Sequence, residues 1–295
     1  MDFSWPLVVA GALVGISVGL TGMGGGALMT PILVMIFGVN PSAAVGSDLL
    51  ASVAMKPFGA VVHHRAKTVR WELVRWLVPT AVPAGFAGAF LFHFLGDGAP
   101  LQHRLKLAIG GALLLAVVGM LARVLLARRA TGGELAAGEP IQVRRLPTLL
   151  IGLVGGLIVG LTSVGSGSLI IVMLMLIHPR MRANDLVGTD LVQAIPLVLA
   201  AAAGHLVAGD TQLVLTATLL LGAIPGIYLG AKLATRAPSG LLRWVLVVLL
   251  LGSGLALWKV PSVAILTACG GIVVAGAGAA LLRRYHPRWQ VAVTG

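Results

Sequence analysis

The chain is 295 residues long, 58% hydrophobic and only 10% charged, with a mean hydropathy of +1.01 and a formal net charge of +12. A soluble domain carries roughly 25% charged residues, so this sequence cannot build a water-compatible surface and reads as an all-α polytopic membrane protein. Its Lys and Arg residues are scattered through short loops without interleaved aromatics, which argues against nucleic acid as a partner, and a lone cysteine, Cys269, leaves no disulfide framework or zinc site.

In chain order, the opening MDFSWPLVVA has no basic n-region and no clear cleavage site and is expected to be retained. Apolar segments follow at 5–22, 26–38, 43–63, 74–95 and 103–126. They recur at 147–162, 166–178, 185–207, 212–234 and 239–258, with one more at 261–282. A crossing helix needs about 20 residues to span about 30 Å of hydrocarbon. The second and seventh segments, at about 20 Å of helix each, fall short of that length. The polar, Gly- and Pro-containing stretch Ala127–Pro147 is the one sizeable linker. The expected organisation is a first repeat over 1–127, a linker over 128–146, a second repeat over 147–259 and an extra helix and tail over 260–295. Pro57, Pro83, Pro196 and Pro225 are expected to kink their helices.

Orientation follows from the basic residues, which collect on the cytoplasmic side. With the loop His63–Arg75 inside and the chain alternating, 17 of the 21 Lys and Arg residues lie inside. Arg104, Lys106 and Lys259 lie outside, and Lys56 falls within a span. All six tryptophans sit near span ends, where interfacial anchors belong. The N-terminus is therefore expected outside and the C-terminus in the cytoplasm.

The two halves repeat. GLTGMGGGALMTP at Gly19–Pro31 matches GLTSVGSGSLIIV at Gly160–Val172, VGSDLL at Val45–Leu50 matches VGTDLV at Val187–Val192, and AVPAGFAGA at Ala81–Ala89 matches AIPGIYLGA at Ala223–Ala231. His63 falls opposite His205, and the offset is 141 or 142 residues throughout. Each half holds about five segments, the first two forming a hairpin broken at the Gly-rich loop. An odd number inverts the second copy in the membrane, whether or not the hairpins cross. Inverted repeats place a substrate site near the midplane, where interrupted helices meet, and alternate access around it.

These paired loops, the GSDLL/GTDLV pair, the loop VVHHRAKTVRWELV and the two P-x4-G helices resemble the sulfite exporter TauE/SafE type, the 4-toluene sulfonate uptake permease family, to about Trp258. The resemblance implies a multi-pass protein of the bacterial inner membrane that moves sulfur-containing or carboxylate anions. Lys56 departs from the many members that carry a hydroxyl residue there, although a subset carries lysine. The segment after Pro261 has no partner in the first repeat.

Irregular backbone survives in lipid only where it lines a cavity or is buried in protein. Gly22, Gly24, Gly25 and Gly26 can turn the chain sharply and leave amide donors of the next helix free, and a helix N-terminus with its partial positive charge attracts anions. Gly165, Ser166, Gly167 and Ser168 would present the same from the second half, with Thr21, Thr162, Ser163 and Gln193 as further pocket candidates. The competing reading is that small residues merely let helices pack closely. Asp48 and Asp190 read as the only acids in or at the edge of the spans. Three roles stand open for them: capping the loop amides, pairing with Lys56, or carrying a coupling proton. Lys56 breaks the repeat, its counterpart being Leu197 or Val198. It is expected to face the anion, with snorkelling or pairing to Asp48 as the alternative. His63 and His205 are expected to be interfacial.

The expected function is secondary transport of a small anion across the lipid bilayer, with the proton as a candidate coupling ion and no cofactor or metal. A homodimer is compatible with this reading. No GxxxxGK[ST] nucleotide loop occurs, and the chain is not expected to be an enzyme. A passive anion channel and an intramembrane serine enzyme at VGSGS are the alternatives.

Overall fold

In the computed structural model the described residues are 4–21, 25–94, 98–129, 139, 141–164, 169–234 and 239–285. They are all-helical, in eleven helices. The first half supplies α1 (Trp5–Thr21), α2 (Gly26–Met35), α3 (Pro41–Arg65), α4 (Trp71–Phe94) and α5 (Gly98–Arg129). The second supplies α6 (Arg145–Thr162), α7 (Leu169–Ile177), α8 (Ala183–Ala208), α9 (Leu213–Ala234) and α10 (Ser239–Leu257), and α11 (Ser262–Tyr285) follows.

Six of these helices are long and apolar enough to cross a membrane: α3, α4, α5, α6, α8 and α9. By contrast α2 and α7 have 10 and 9 residues, or about 15 Å of helix each, half the hydrocarbon thickness. α2 is shorter than its apolar run because it ends in a turn at Ile36–Gly38, with Gly38 at φ +63, before Asn40 and Pro41 start α3. Pro57, Pro83, Pro196 and Pro225 all lie within continuous helices.

Equivalent helices pack in exchanged pairs. α1 lies against α9 as α6 lies against α4, α3 lies against α9 as α8 lies against α4, and α2 lies against α10 as α7 lies against α5. α3 and α8, each other's equivalents, pack together, as do α5 and α10, while α11 lies on α10. Small residues make the first of these contacts close. A Cβ on Gly15 would strike the Ala223 carbonyl of α9, and one on Gly156 would strike the Ala81 carbonyl of α4. Those four residues are two equivalent pairs, so close-packing glycines are repeated with the fold.

Fine geometry repeats too. α3 closes on Lys67 at φ +55, with the Thr68 amide donating to the His63 carbonyl at 3.1 Å. α8 closes on Gly209 at φ +78, with the Asp210 amide donating to the His205 carbonyl at 3.0 Å. Both are left-handed helix ends. Glycine adopts that conformation freely, whereas a lysine there is strained by about 1 kcal/mol. The following turns then dock on the opposite half: the Arg70 amide donates to Thr189 Oγ1 at 3.0 Å, and the Gln212 amide to Ser47 Oγ at 3.2 Å.

Candidate functional site

The site is assembled where both halves meet, from α2, α3, α8 and the end of α6. α6 stops at Ser163, a non-glycine residue in the left-handed region at φ +56, strained by about 1–2 kcal/mol. Its equivalent in the first half is Gly22, which lies outside the described residues, as do Gly24, Gly165, Ser166, Gly167 and Ser168. The start of α2 presses on Ser163, since a Cβ on Gly26 would overlap the Ser163 carbonyl. Gly25, the N-cap of α2, has no side-chain cap, and its α-carbon faces Met55, Val18 and Val14. The two described glycines of the first loop therefore allow close packing. Thr162 is likewise spoken for: its hydroxyl donates to the Ile158 carbonyl at 2.6 Å and accepts from the Val164 amide at 3.2 Å. Thr21 ends α1, and its side chain lies outside the described set.

Below α2 sits Asp48 of α3, completely buried. Thr30, one turn into α2, donates its hydroxyl to Asp48 Oδ2 at 2.6 Å. The Ser163 hydroxyl lies near the same carboxyl without a well-formed hydrogen bond. Asp48 Oδ1 has no hydrogen-bond partner among the described residues. Thr30 is absent from the sequence-derived candidates. Its position four residues after Gly26 on a short helix, ahead of Pro31, was the available signal.

Two turns along α3, Lys56 is 4% exposed, and its Nζ has no hydrogen-bond partner among the described residues. Two acids act on it electrostatically, Asp190 of α8 more strongly than Asp48 of its own helix. The expected pairing with Asp48 is thus secondary to one across the seam between halves. Asp190 is completely buried, and its Oδ1 accepts from Gln193 Nε2 at 2.9 Å. Lys56, Asp48, Asp190 and Gln193 are brought together as one polar cluster, with Ser163 and the start of α2 at its edge. Leu197 and Val198, the repeat counterparts of Lys56, are buried in the apolar core.

Two expectations fail. Asp48 and Asp190 are not the only acids within the spans: Asp185, in the first turn of α8, is 3% exposed. Arg70 holds it through Nε at 2.8 Å and Nη2 at 2.5 Å, while Arg70 Nη1 donates to the Glu139 carbonyl at 2.8 Å. The sequence hides this pair because its partners are 115 residues apart and Arg70 reads as an ordinary loop cation. His205 is not interfacial but completely buried, with Nε2 against the Gly160 carbonyl at 2.8 Å and Nδ1 3.7 Å from Asp210 Oδ2. It is buried because α8 runs against α6 at that level. His63 is half-buried, and its Nδ1 lies 2.9 Å from Thr68 Oγ1.

The sequence profile of the sulfite exporter TauE/SafE family matches residues 7–257, nearly all of the paired halves. The chain belongs to that family. Among curated relatives, the probable membrane transporter protein YjnA of Bacillus subtilis is 38% identical over 254 residues, covering 85% of this chain and 98% of its own. A probable membrane transporter protein of Xylella fastidiosa is 31% identical over 231 residues, covering 77% and 83%. YdhB of B. subtilis, also a probable membrane transporter protein, is 25% identical over 231 residues, covering 78% and 90%. No solved structure matches. As a TauE/SafE family member with six helices able to span a bilayer, the chain is a multi-pass membrane protein of a transporter family. α11 lies beyond the matched region.

Proposed function

We propose that this chain is a secondary transporter that moves small sulfur-containing or carboxylate anions, sulfite and sulfonates first among them, across the bacterial inner membrane. The halves are inverted repeats, with the N-terminus outside and the C-terminus in the cytoplasm, and access alternates around the cluster at their seam. One observation carries the reading: Lys56 is a buried ammonium at the contact of α3 with α8 whose three donors find no acceptor among the described residues. A buried cation in that state is expensive, and an anion entering beside it would supply the missing acceptors. Ser163, whose buried hydroxyl has no partner among the described residues and can donate, lies at the edge of the same cluster. The start of α2 adds the partial positive charge of a helix N-terminus.

The substrate class is tested by thermal unfolding of the purified protein with sulfite, methanesulfonate, sulfoacetate and acetate, because a ligand of the folded state raises its melting temperature. Sulfite or a sulfonate is expected to stabilise in a saturable way. Stabilisation by none of the four would overturn the reading.

A further inference from the structure

The seam carries an imbalance of charge that the anion reading does not resolve. Asp48 and Asp190 are buried carboxylates, and Lys56 is the buried cation acting on both. Arg70 and Asp185 neutralise each other elsewhere. With all three groups ionised the cluster has one negative charge in excess, and an arriving anion would raise that to two. Buried charge of one sign is relieved by neutralisation rather than tolerated.

The surroundings of the two acids decide which one can take a proton. Asp190 Oδ1 accepts from an amide NH₂, a group that only donates, and Asp190 is the acid with the stronger hold on Lys56. A carboxyl oxygen can accept that amide bond in either protonation state, so it is the stronger hold on the Lys56 ammonium that suits Asp190 to the carboxylate form. Asp48 is served by a hydroxyl, Thr30, bound to Oδ2, while Oδ1 is buried and has no partner among the described residues. A proton on Oδ1 would leave the Thr30 bond intact and break nothing. The elements packed on α3 supply no competing charge at Asp48. α2 brings the Thr30 hydroxyl, the end of α6 brings Ser163, and α8 brings Asp190, which shares Lys56. Of the other titratable groups of α8, Asp185 is held by Arg70, and His205, which meets α3 at Gly46, turns its ring to the Gly160 carbonyl. The ionisable residues of α5 and α9 (His103, Arg104, Lys106, Arg123, Arg128 and Arg129; Tyr228 and Lys232) lie in the outer turns of those helices.

We infer that Asp48 is the coupling-proton site: the anion enters together with one proton that settles on Asp48 Oδ1, and both leave together on the other side. Asp190 stays ionised as the partner of Lys56. The inference rests on the anion-transport reading, and it makes transport a symport of anion and proton rather than passive conduction.

Methanesulfonate is the probe, since its own charge does not change between pH 5 and pH 8. In the purified wild-type protein its affinity should weaken as pH rises once Asp48 must be reprotonated, approaching about tenfold per pH unit for one linked proton. In proteoliposomes holding a pH dye, with the membrane potential clamped, adding methanesulfonate outside should acidify the lumen. Asp48→Asn, a neutral stand-in for the protonated acid, should bind with an affinity flat in pH and should move no protons, while Asp190→Asn should not flatten the profile. A wild-type affinity flat from pH 5 to pH 8 would overturn the inference without any variant being needed. So would an Asp48→Asn protein that keeps the wild-type profile or still acidifies the lumen. Absence of binding of methanesulfonate, sulfite, sulfoacetate and acetate alike in the wild type would instead bring down the transport reading beneath it.

Discussion

Asp48 and Asp190 occupy the same position in the two halves, yet their surroundings differ. The first receives a threonine hydroxyl from α2, where the second half has Ile171 at the equivalent place. The second receives an amide from Gln193, where the first half has Ala51. Lys56 stands on one side only, opposite Leu197 and Val198. The loop contacts show the same contrast. Ser47 and Thr189 accept equivalent amide bonds, but the Arg70 turn adds a buried ion pair to Asp185, whereas the equivalent positions in the other half are Gln212 and the uncharged Ala43. Duplication supplied the scaffold: the glycine faces, the left-handed helix ends and the exchanged packing. Lys56 and the Arg70–Asp185 pair were placed singly, and that single placement gives two equivalent acids different surroundings.

The most drastic way to break the comparison is through topology. Asn40 and Arg182 are the equivalent N-cap residues of α3 and α8, with similar extended backbones (φ −55, ψ 133 and φ −62, ψ 145). With Cys269 replaced, Asn40→Cys should react with an impermeant thiol reagent added outside whole cells, whereas Arg182→Cys should react only after the cells are opened. Labelling of both from one side would make the repeats parallel. A graded contrast comes next. Arg70→Ala leaves Asp185 buried and unpaired and should destabilise by about 3–5 kcal/mol, against about 1 kcal/mol or less for Gln212→Ala. Equal shifts in chemical unfolding would mean that the ion pair adds nothing to the docking shared by both turns. Smallest is Ser163→Gly, which restores the residue type of Gly22. Relief of the left-handed strain should raise stability by about 0.5–1 kcal/mol, part of the gain being lost to the freer unfolded chain. A loss of stability would show instead that the serine hydroxyl holds α6 in place.

The fold was legible because its signals are local or repeated. Apolar runs marked all eleven helices, and Lys67 and Gly209 could be aligned through the motifs around them. The exchange of partners between halves follows from the repeat itself. The site was legible in part. Lys56, Asp48, Asp190 and Gln193 stand out as polar residues in apolar helices, and the structure gathers all four. What escaped depends on contacts distant in sequence. Thr30 matters through a residue 18 positions on, and Arg70 through one 115 positions on. His205 looked like a span-end residue because helix length says nothing about which neighbour covers it. Gly25 and Gly26 also allow close approach to Met55 and Ser163, contacts that lie far away in sequence.

The central claim is that an anion binds at the seam against the unpartnered ammonium of Lys56, and calorimetric titration of methanesulfonate into wild-type and Lys56→Met protein at pH 6 tests it most directly. Loss of a hydrogen bond to a charged group, worth about 1.5–3 kcal/mol, corresponds to a weakening of roughly 10- to 150-fold. Lys56→Arg should fall between the two, since charge persists with altered geometry. A Lys56→Met protein that folds and binds methanesulfonate as tightly as the wild type would contradict the account.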